Sequence, residues 1–184
     1  SILLTGIIVN KLGQRFVTED SYHSRTAGFV MDQPDSAAFL IVDEDHLQRP
    51  AFPLITFIDG WETVEEMEAS LGIPQGNLVA TLNRYNEFAA KCEDPDFHKQ
   101  PEFLAPQDKG PWAAFDLSLG KAMYSGFTVG GLATDVDGRV LRSDGAAIPG
   151  LYAAGATASN IAQDGKGYIA RVYDAYGLPI WLTE

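Results

Sequence analysis

Residues 7–17 have the sequence IIVNKLGQRFV, in which a short apolar run is followed by a polar turn and a second apolar run. This spacing predicts a β-hairpin with strands at residues 7–10 and 15–17, in which Gly13 supplies the positive φ of a tight turn. Residues 1–5 are also largely apolar, so we expect residues 1–9 to form a buried strand that is entered in mid-domain. Residues 37–42, AAFLIV, predict the next buried strand.

Two later segments have helical spacing of their apolar residues. A helix is predicted to begin at Asp59 or Gly60, because Val64, Met67 and Leu71 then share one face. Gly72 and Pro74 are expected to end that helix. A longer helix is predicted over residues 77–91, with a core-facing side formed by Leu78, Leu82, Tyr85 and Ala89.

The second half of the chain predicts strands and turns. Residues 93–109 are rich in proline and acidic residues and have no period, which predicts a long surface loop. Strands are expected at residues 111–117 and 121–134, and Asp137-Gly138 and Asp144-Gly145 are expected to turn the chain. Residues 148–150 then lead into an apolar strand at 151–154. Because the elements do not alternate as regular βαβ units, the predicted class is α+β.

The charge of the chain excludes several functions. Its 184 residues include 13 basic and 25 acidic side chains, for a formal net charge of −12. A nucleic-acid binder needs a surplus of Lys and Arg on one face, and an anionic membrane surface attracts basic segments. The apolar start is too short to span a bilayer and lacks the basic front of a signal peptide. Cys92 is the single cysteine, which excludes an internal disulfide and fits a reducing, cytoplasmic location.

Three short motifs are weak as functional signals. Residues 165–170 match G-x-G-x-x-A, but the polar residues before them do not predict the strand that a pyrophosphate site requires. Residues 135–138 imitate the start of a calcium loop and lack its later acidic ligands, so they are predicted to form a turn. The three histidines, His23, His46 and His98, are far apart in the sequence, and no metal site is predicted.

Three segments in register carry a family resemblance. Residues 6–19 (GIIVNKLGQRFVTE) resemble the start of the capping domain in the fumarate reductase/succinate dehydrogenase flavoprotein family. Residues 127–132 (FTVGGL) resemble that family's Thr-x-Gly-Gly strand, where the chain returns to the FAD domain. Residues 148–155 (IPGLYAAG) resemble its Ile-Pro-Gly-Leu-Tyr-x-x-Gly strand, which runs against the flavin.

The resemblance implies a domain organisation and a cofactor. Residues 1–125 would be a capping, substrate-binding domain, and residues 126–184 would be a partial, C-terminal part of an FAD-binding domain. The implied cofactor is FAD. A strand of small residues ending in glycine also lets the backbone approach a flat aromatic ring. The implied cofactor-binding residues are Gly130, Gly131, Tyr152, Ala154, Gly155 and Ala156.

The cations that hold a dicarboxylate in fumarate reductases are replaced in this sequence. Phe127 stands in the histidine position, Tyr22 in an arginine position and Leu47 nearest to the proton-donating arginine, with Arg49 two residues on. Two substrate carboxylates without cationic partners are costly in a closed site. The sequence therefore disfavours a small dicarboxylate as substrate.

Residues 19–22 and Gly167-Tyr168 resemble instead the 3-ketosteroid dehydrogenase branch of the family. The resemblance implies dehydrogenation of a small apolar ketone, with a hydride transferred to FAD and a proton to a tyrosine. A phenol of lowered pKa can accept a proton from the carbon next to a carbonyl, and a second phenol can donate to the carbonyl oxygen. Tyr22 is assigned as the proton acceptor and Tyr168 as the carbonyl donor, or the reverse.

Two departures leave alternatives open. Arg171 stands where the family has a glycine, and the glycine-rich βαβ unit that holds the ADP half of FAD is absent from the sequence. We therefore expect these residues to be a C-terminal fragment of a longer flavoprotein that, by itself, binds FAD weakly or not at all. The missing half would come from an N-terminal region or from a partner chain. The alternatives are a cap-derived binding or interaction domain without redox activity and a fumarate reductase-like enzyme.

Overall fold

The apolar runs of the first 124 residues form a four-stranded antiparallel sheet, seen in a computed structural model that describes residues 2–21, 23–48, 54–124, 130–158, 170–173 and 179–182. The chain divides into a first unit, Ser1–Tyr124, and a second unit, Ser125–Glu184. In the first unit the strands are β1 (Ile7–Asn10), β2 (Ala38–Asp43), β3 (Thr56–Trp61) and β4 (Trp112–Asp116), in the order β1-β2-β4-β3. The helices are α1 (Ile2–Thr5), α2 (His23–Met31), α3 (Val64–Leu71) and α4 (Asn77–Ala89).

Strands β1 and β2 are buried at every residue because apolar side chains cover both faces of the sheet. Side chains alternate between the two faces of a strand. One face contributes Ile8 and Leu40 to a core that also holds Val30 of α2. The other face contributes Ile7 and Ile41 to a second core against α3 and α4. The predicted strand at residues 37–42 is therefore confirmed, shifted by one residue.

The amino-terminal residues differ from the prediction. The expected strand over residues 1–9 is wrong in its first half, because Ile2–Thr5 form one helical turn and β1 begins at Ile7. The predicted turn at Gly13 is confirmed by its φ of +73° and by a hydrogen bond from the Asn10 amide to the Gln14 carbonyl. The second strand of the hairpin is reduced to a single bridge between Val9 and Arg15.

Helix α3 begins later than predicted. Residues 56–61 form β3, because they pair with β4, and the expected start at Asp59 or Gly60 is therefore wrong. Thr63 is the N-cap instead: its hydroxyl accepts from the Glu66 amide, and the Glu66 carboxylate accepts from the Thr63 amide. Gly72 ends the helix with a φ of +70°, as predicted.

Helix α4 confirms the predicted helix and its buried face, although it ends at Ala89 rather than at residue 91. Its N-cap, Gly76, has no side chain to satisfy the first amides. The buried Glu68 carboxylate of α3 does so instead, by accepting from the amides of Gly76, Leu78 and Val79 at 2.7, 2.6 and 3.1 Å. A carboxylate at this end of a helix also complements the helix dipole.

The loop over residues 93–109 follows the prediction only in part. It is irregular except for one 3-10 turn at Pro101–Phe103. Its expected surface position is wrong for three polar residues, Asp94, Lys99 and Gln107, which are buried. Helix α2 was also not predicted, because residues 18–25 are polar and only its Val30 side reaches the core.

The second unit contains two hairpins. Strands β5 (Arg139–Leu141) and β6 (Ala147–Tyr152) pair antiparallel, and β7 (Ala170–Tyr173) pairs with β8 (Pro179–Leu182). The predicted turns are confirmed by the positive φ of Gly138 and Gly145. The predicted strand over residues 121–134 is wrong in its described parts: residues 121–124 form no strand, and Leu132 and Thr134 make single bridges to different partners.

Within the ranges given above, no helix is both long enough and apolar enough to cross a membrane.

We expect Glu68→Gln to destabilise the first unit by about 1–3 kcal/mol, because an amide nitrogen then faces backbone amides that have no other acceptor. Urea denaturation measures this change in the free energy of unfolding. Glu87→Gln is the matched control, since Glu87 makes only an exposed ion pair with Lys91 and should cost less than about 0.5 kcal/mol. Equal effects of the two substitutions would contradict the capping role of Glu68.

Candidate functional site

The sequence-predicted residues fall into two groups. The candidate catalytic residues Tyr22 and Tyr168 lie outside the described residues, so their roles stay predictions. The six candidate cofactor residues are all described, and all belong to the second unit.

The Gly130-Gly131 pair runs beside the turn that follows β6. The Leu132 amide donates to the Thr157 carbonyl at 2.9 Å, and Leu132 bridges Ala158 in parallel. A Cβ added to Gly131 would lie 2.6 Å from the Ala158 carbonyl group and 2.7 Å from the Thr157 oxygen. Glycine is therefore required at position 131 for this close approach of two backbones, and the pairing brings Gly130 and Gly131 next to the 155–157 turn.

The end of β6 presents small, exposed residues. Ala154, Gly155 and Ala156 are exposed, Gly155 has a φ of +62°, and a Cβ there would meet no atom within 4 Å. Tyr152 is 64% exposed. Residues 154–156 themselves carry nothing larger than a methyl group and are exposed in the described part of the chain, so a flat aromatic ring can lie directly against their backbone. These residues therefore fit the isoalloxazine ring of a flavin.

A mostly apolar cavity of about 230 Å³ lies in the first unit, next in sequence to Tyr22. The residues that line it come from α1, β1, the segment before Tyr22 and the start of α2. They are Leu3, Leu4, Ile8, Glu19, Ser21, His23 and Thr26. None of them is a lysine or an arginine.

The one carboxylate of this cavity, Glu19, is already neutralised. Its side chain is fully buried, and Arg15 donates to both carboxylate oxygens, from Nε at 2.9 Å and from Nη2 at 2.8 Å. The Ile8 amide donates to the same carboxylate at 3.0 Å, and the Lys99 Nζ lies 3.4 Å away. A bidentate arginine pair of this kind fixes both the position and the charge of the carboxylate.

Asp94 completes this buried ion cluster. Arg15 donates to its two oxygens at 3.2 and 3.0 Å and lies between the rings of Tyr85 and Phe97, 4.9 Å from each centroid. Burial disfavours the charged guanidinium, but the attraction of Glu19 and Asp94 is stronger and raises the pKa of Arg15. Burial also opposes ionisation of Asp94, yet the hydrogen bonds from Arg15 hold its pKa below the usual value. We refer to Arg15, Glu19, Asp94 and Lys99 as the ion cluster.

His23 contributes an uncharged imidazole to the cavity wall near neutral pH. Burial lowers its pKa from 6.5, although the Met123 carbonyl, 3.3 Å from Nε2, partly opposes the shift. Its ring stacks on Tyr124 with a centroid separation of 4.7 Å. The Tyr124 hydroxyl in turn donates to the Leu117 carbonyl at 2.6 Å.

The sequence did not predict the ion cluster. Arg15 and Glu19 belong to the quoted motif, but nothing in it indicates that their charges are buried together. Asp94 and Lys99 are 79 and 84 residues from Arg15, within a segment predicted to be a surface loop. Among the residues that the structure describes, no group of three or more His, Cys, Asp and Glu side chains forms a metal-binding arrangement.

We expect Gly131→Ala to destabilise the second unit by about 1–3 kcal/mol, because the added methyl group overlaps the backbone at residues 157–158. Hydrogen–deuterium exchange of the Leu132 amide should become faster. Gly130→Ala is the matched control, since a Cβ there meets nothing within 4 Å. Unchanged exchange of Leu132 in Gly131→Ala would refute the close approach.

Comparison with known proteins gives a family match over most of the chain. The profile of the FAD binding domain family matches residues 4–167. The chain is 34% identical over 179 residues to 4-oxocyclohexanecarboxylate 2-dehydrogenase of Sinomonas cyclohexanicum, covering 81% of this chain and 30% of that protein. It is 30% identical over 182 residues to 3-oxosteroid 1-dehydrogenase of Mycobacterium tuberculosis, covering 81% of this chain and 32% of that protein.

A solved structure gives the same result. The chain superimposes with a TM-score of 0.72 and 40% identity on 3-ketosteroid-Δ4-(5α)-dehydrogenase of Rhodococcus jostii RHA1, crystallised with 4-androstene-3,17-dione. The match covers 87% of this chain and 34% of that one. The chain is thus a mixed fold of helices and strands that aligns with one part of a flavoprotein dehydrogenase. It spans about a third of the length of these relatives.

The family match confirms the resemblance seen in the three sequence motifs and indicates FAD as the cofactor. The chain belongs to the FAD-binding-domain family of the fumarate reductase/succinate dehydrogenase flavoproteins, and it is homologous to FAD-dependent oxidoreductases that include 3-ketosteroid dehydrogenases.

Proposed function

We propose that this chain forms part of an FAD-dependent dehydrogenase that introduces a carbon–carbon double bond next to a ketone in an apolar ring substrate. The charge state of the 230 Å³ cavity, whose lining includes Ser21 and His23 on either side of Tyr22 in the sequence, carries this proposal. Its lining residues include no lysine or arginine, and its one carboxylate is held by Arg15 and Lys99. An uncharged ketone enters such a cavity without leaving a charge unpaired.

The same cavity argues against a small dicarboxylate as substrate. A dicarboxylate needs cations at both ends, and Tyr22 and Phe127 stand where the family's arginine and histidine would be. Leu47, which stands nearest to the family's proton-donating arginine in the sequence, is an exposed apolar residue and supplies no positive charge. The lowered pKa of His23 also keeps that imidazole from supplying a positive charge near neutral pH. The fumarate reductase-like alternative is therefore the weaker one.

The second unit would hold the flavin. Gly130, Ala154, Gly155 and Ala156 leave the backbone open to a flat ring, Gly131 lets the strand pack closely against residues 157–158, and Tyr152 stands exposed as a further contact. FAD, when bound, supplies the acceptor for the hydride that leaves the substrate. In this proposal the first unit is the capping domain and the second unit is the returning part of the FAD-binding domain.

Two tyrosines would handle the proton and the carbonyl. Tyr22, as its phenolate, accepts the proton from the carbon next to the ketone, while the Tyr168 hydroxyl donates a hydrogen bond to the carbonyl oxygen, on which enolate charge develops. The hydride leaves the adjacent carbon, so the product is the α,β-unsaturated ketone. The roles of the two phenols can be exchanged without changing this balance. The family match over residues 4–167 includes Tyr22 and supports its assignment, whereas the assignment of Tyr168 rests on the resemblance of Gly167-Tyr168 to the 3-ketosteroid dehydrogenase branch.

A second candidate function is a cap-derived binding domain without redox activity. The observation that favours it is that the first unit has its own hydrophobic cores on both faces of its sheet. A domain with such cores is capable of folding by itself and of binding an apolar ligand in the cavity. The two candidates differ in flavin binding and in turnover.

We expect Tyr22→Phe and Tyr168→Phe each to lower turnover by about 10²–10⁴-fold in the FAD-loaded enzyme that contains this chain, because each removes a proton-transferring hydroxyl. Turnover is measured with an artificial electron acceptor on a steroid ketone, a cyclohexanone and fumarate. Ring ketones should be oxidised and fumarate should be inert. The absorbance of bound flavin is the control, and it should not change. Near-normal rates in both variants would overturn the tyrosine assignment.

We expect residues 1–184 alone to bind FAD weakly, because the sequence contains no glycine-rich βαβ unit for the ADP half. Equilibrium dialysis of the purified chain against FAD measures this affinity. Joining the chain to the ADP-binding region should restore tight binding and ketone-dependent flavin reduction. A chain that purifies with stoichiometric flavin would contradict the first expectation. Tight flavin binding without any ketone-dependent reduction would favour the non-redox candidate.

A further inference from the structure

Lys99 takes part in none of the chemical steps proposed above, although its ammonium group is completely buried. An ammonium has three donors. The Lys99 Nζ donates to the Gly6 carbonyl at 2.8 Å and to the Tyr85 hydroxyl at 3.4 Å, and it lies 3.4 Å from the Glu19 carboxylate. Lys99 therefore contacts three parts of the fold: the residue before β1 through Gly6, helix α4 through Tyr85, and the segment before Tyr22 in the sequence through Glu19.

These contacts lie along the free edge of the sheet. Strand β1 is an edge strand, and β2 satisfies its backbone on one side only. On the other side, the Lys99 ammonium donates to the Gly6 carbonyl, and the Glu19 carboxylate accepts from the Ile8 amide. The Gln14 carbonyl accepts from the Asn10 amide. Two side chains and one backbone carbonyl thus complete the edge where a fifth strand would otherwise pair. The segment over residues 14–19 is thereby attached to β1 by specific hydrogen bonds.

The loop over residues 93–109 holds the same segment from the opposite side. Asp94 binds the Arg15 guanidinium, and the Gln100 amide donates to the Asp20 carboxylate at 2.9 Å. Asp94 also accepts from the Lys99 amide at 3.3 Å, which fixes the lysine within the loop. Residues 15–20 are therefore fixed between the sheet edge and the loop, directly before Tyr22 in the chain.

We propose that Lys99 is a positioning residue that acts through Glu19 to fix the segment carrying the proton acceptor Tyr22. This inference rests on the proposed function, because it assumes the catalytic role of Tyr22. Lys99 touches neither substrate nor cofactor in this scheme. It sets the position of residues 15–20, which directly precede the tyrosine in the sequence.

A charged residue suits this task better than an apolar one. The ion cluster contains two cations and two anions, so its formal charges balance inside the protein. If Lys99 is removed, Glu19 keeps Arg15 but loses a cation, and the Gly6 carbonyl loses its donor. A buried carboxylate that loses a partner moves toward water or toward another donor. Its segment moves with it, and small displacements of a catalytic group lower the rate strongly.

Lys99→Met tests the proposal in the FAD-loaded enzyme, because methionine keeps an apolar stem and removes the ammonium. We expect kcat per bound flavin to fall at least about tenfold, while KM for a ring ketone changes less than about threefold. Lys91→Met is the matched control: it makes the same chemical change at an exposed lysine that pairs with Glu87. It should leave kcat, KM and Tm unchanged.

A purely structural role for Lys99 would lower Tm and the yield of folded enzyme but leave kcat per bound flavin at the wild-type value. That result would overturn the positioning role. If Lys99→Met yields no folded enzyme, Arg15→Lys provides the same test, since it keeps the charge at position 15 and loses the two-point contact with Glu19. A wild-type kcat per bound flavin in Arg15→Lys would then overturn the proposal.

Tyr22→Phe separates this inference from the proposed function. If Tyr22→Phe is inactive and Lys99→Met has the wild-type kcat per bound flavin, the positioning role alone fails. If Tyr22→Phe keeps near-normal turnover, the assignment of Tyr22 fails, and the basis for the positioning role fails with it.

Discussion

The bidentate ion pair between Arg15 and Glu19 is the interaction on which the site of the first unit depends. Its carboxylate receives Arg15, Lys99 and the Ile8 amide, so it joins the segment before Tyr22 to the edge of the sheet. The same pair neutralises the one carboxylate among the described residues that line the cavity. One interaction therefore sets both the position of the site segment and the chemical character of the cavity beside it.

Buried ion pairs of this kind are not a general source of stability. The cost of desolvating two charges is of the order of their mutual attraction, whereas removing one partner alone costs about 3–5 kcal/mol. A buried ion pair is tolerated only when its groups are well hydrogen-bonded. Arg15 fulfils this condition because its guanidinium group donates to both Glu19 and Asp94. The rings of Tyr85 and Phe97 also contact its guanidinium group, each with its centroid 4.9 Å from Cζ. The ion cluster therefore contributes specificity, because it fixes one arrangement of residues 15–20.

Much of the fold can be predicted from local sequence, and the errors of the prediction also have local causes. The helix over Asn77–Ala89 was predicted because its apolar residues repeat at helical spacing, and the strand over Ala38–Asp43 because residues 37–42 form a continuous apolar run. The start of α3 was misplaced because Asp59 and Gly60 are typical of turns, although β4 pairs with them as a strand. Helix α2 was missed because its sequence is polar and only one side of it reaches the core.

The sequence by itself determined the family, the FAD cofactor and the main secondary structure, because motif spacing and hydrophobic period are properties of neighbouring residues. The resemblance assigned Gly131 to the cofactor, and only the structure shows that a side chain there would overlap the backbone of residues 157–158. The tertiary structure alone decided which charges are buried together. Lys99 reaches a carbonyl 93 residues away, and Arg15 reaches Asp94 over 79 residues. Such pairs leave no periodic pattern in the sequence, since the loss of water that makes them specific occurs only when the chain folds.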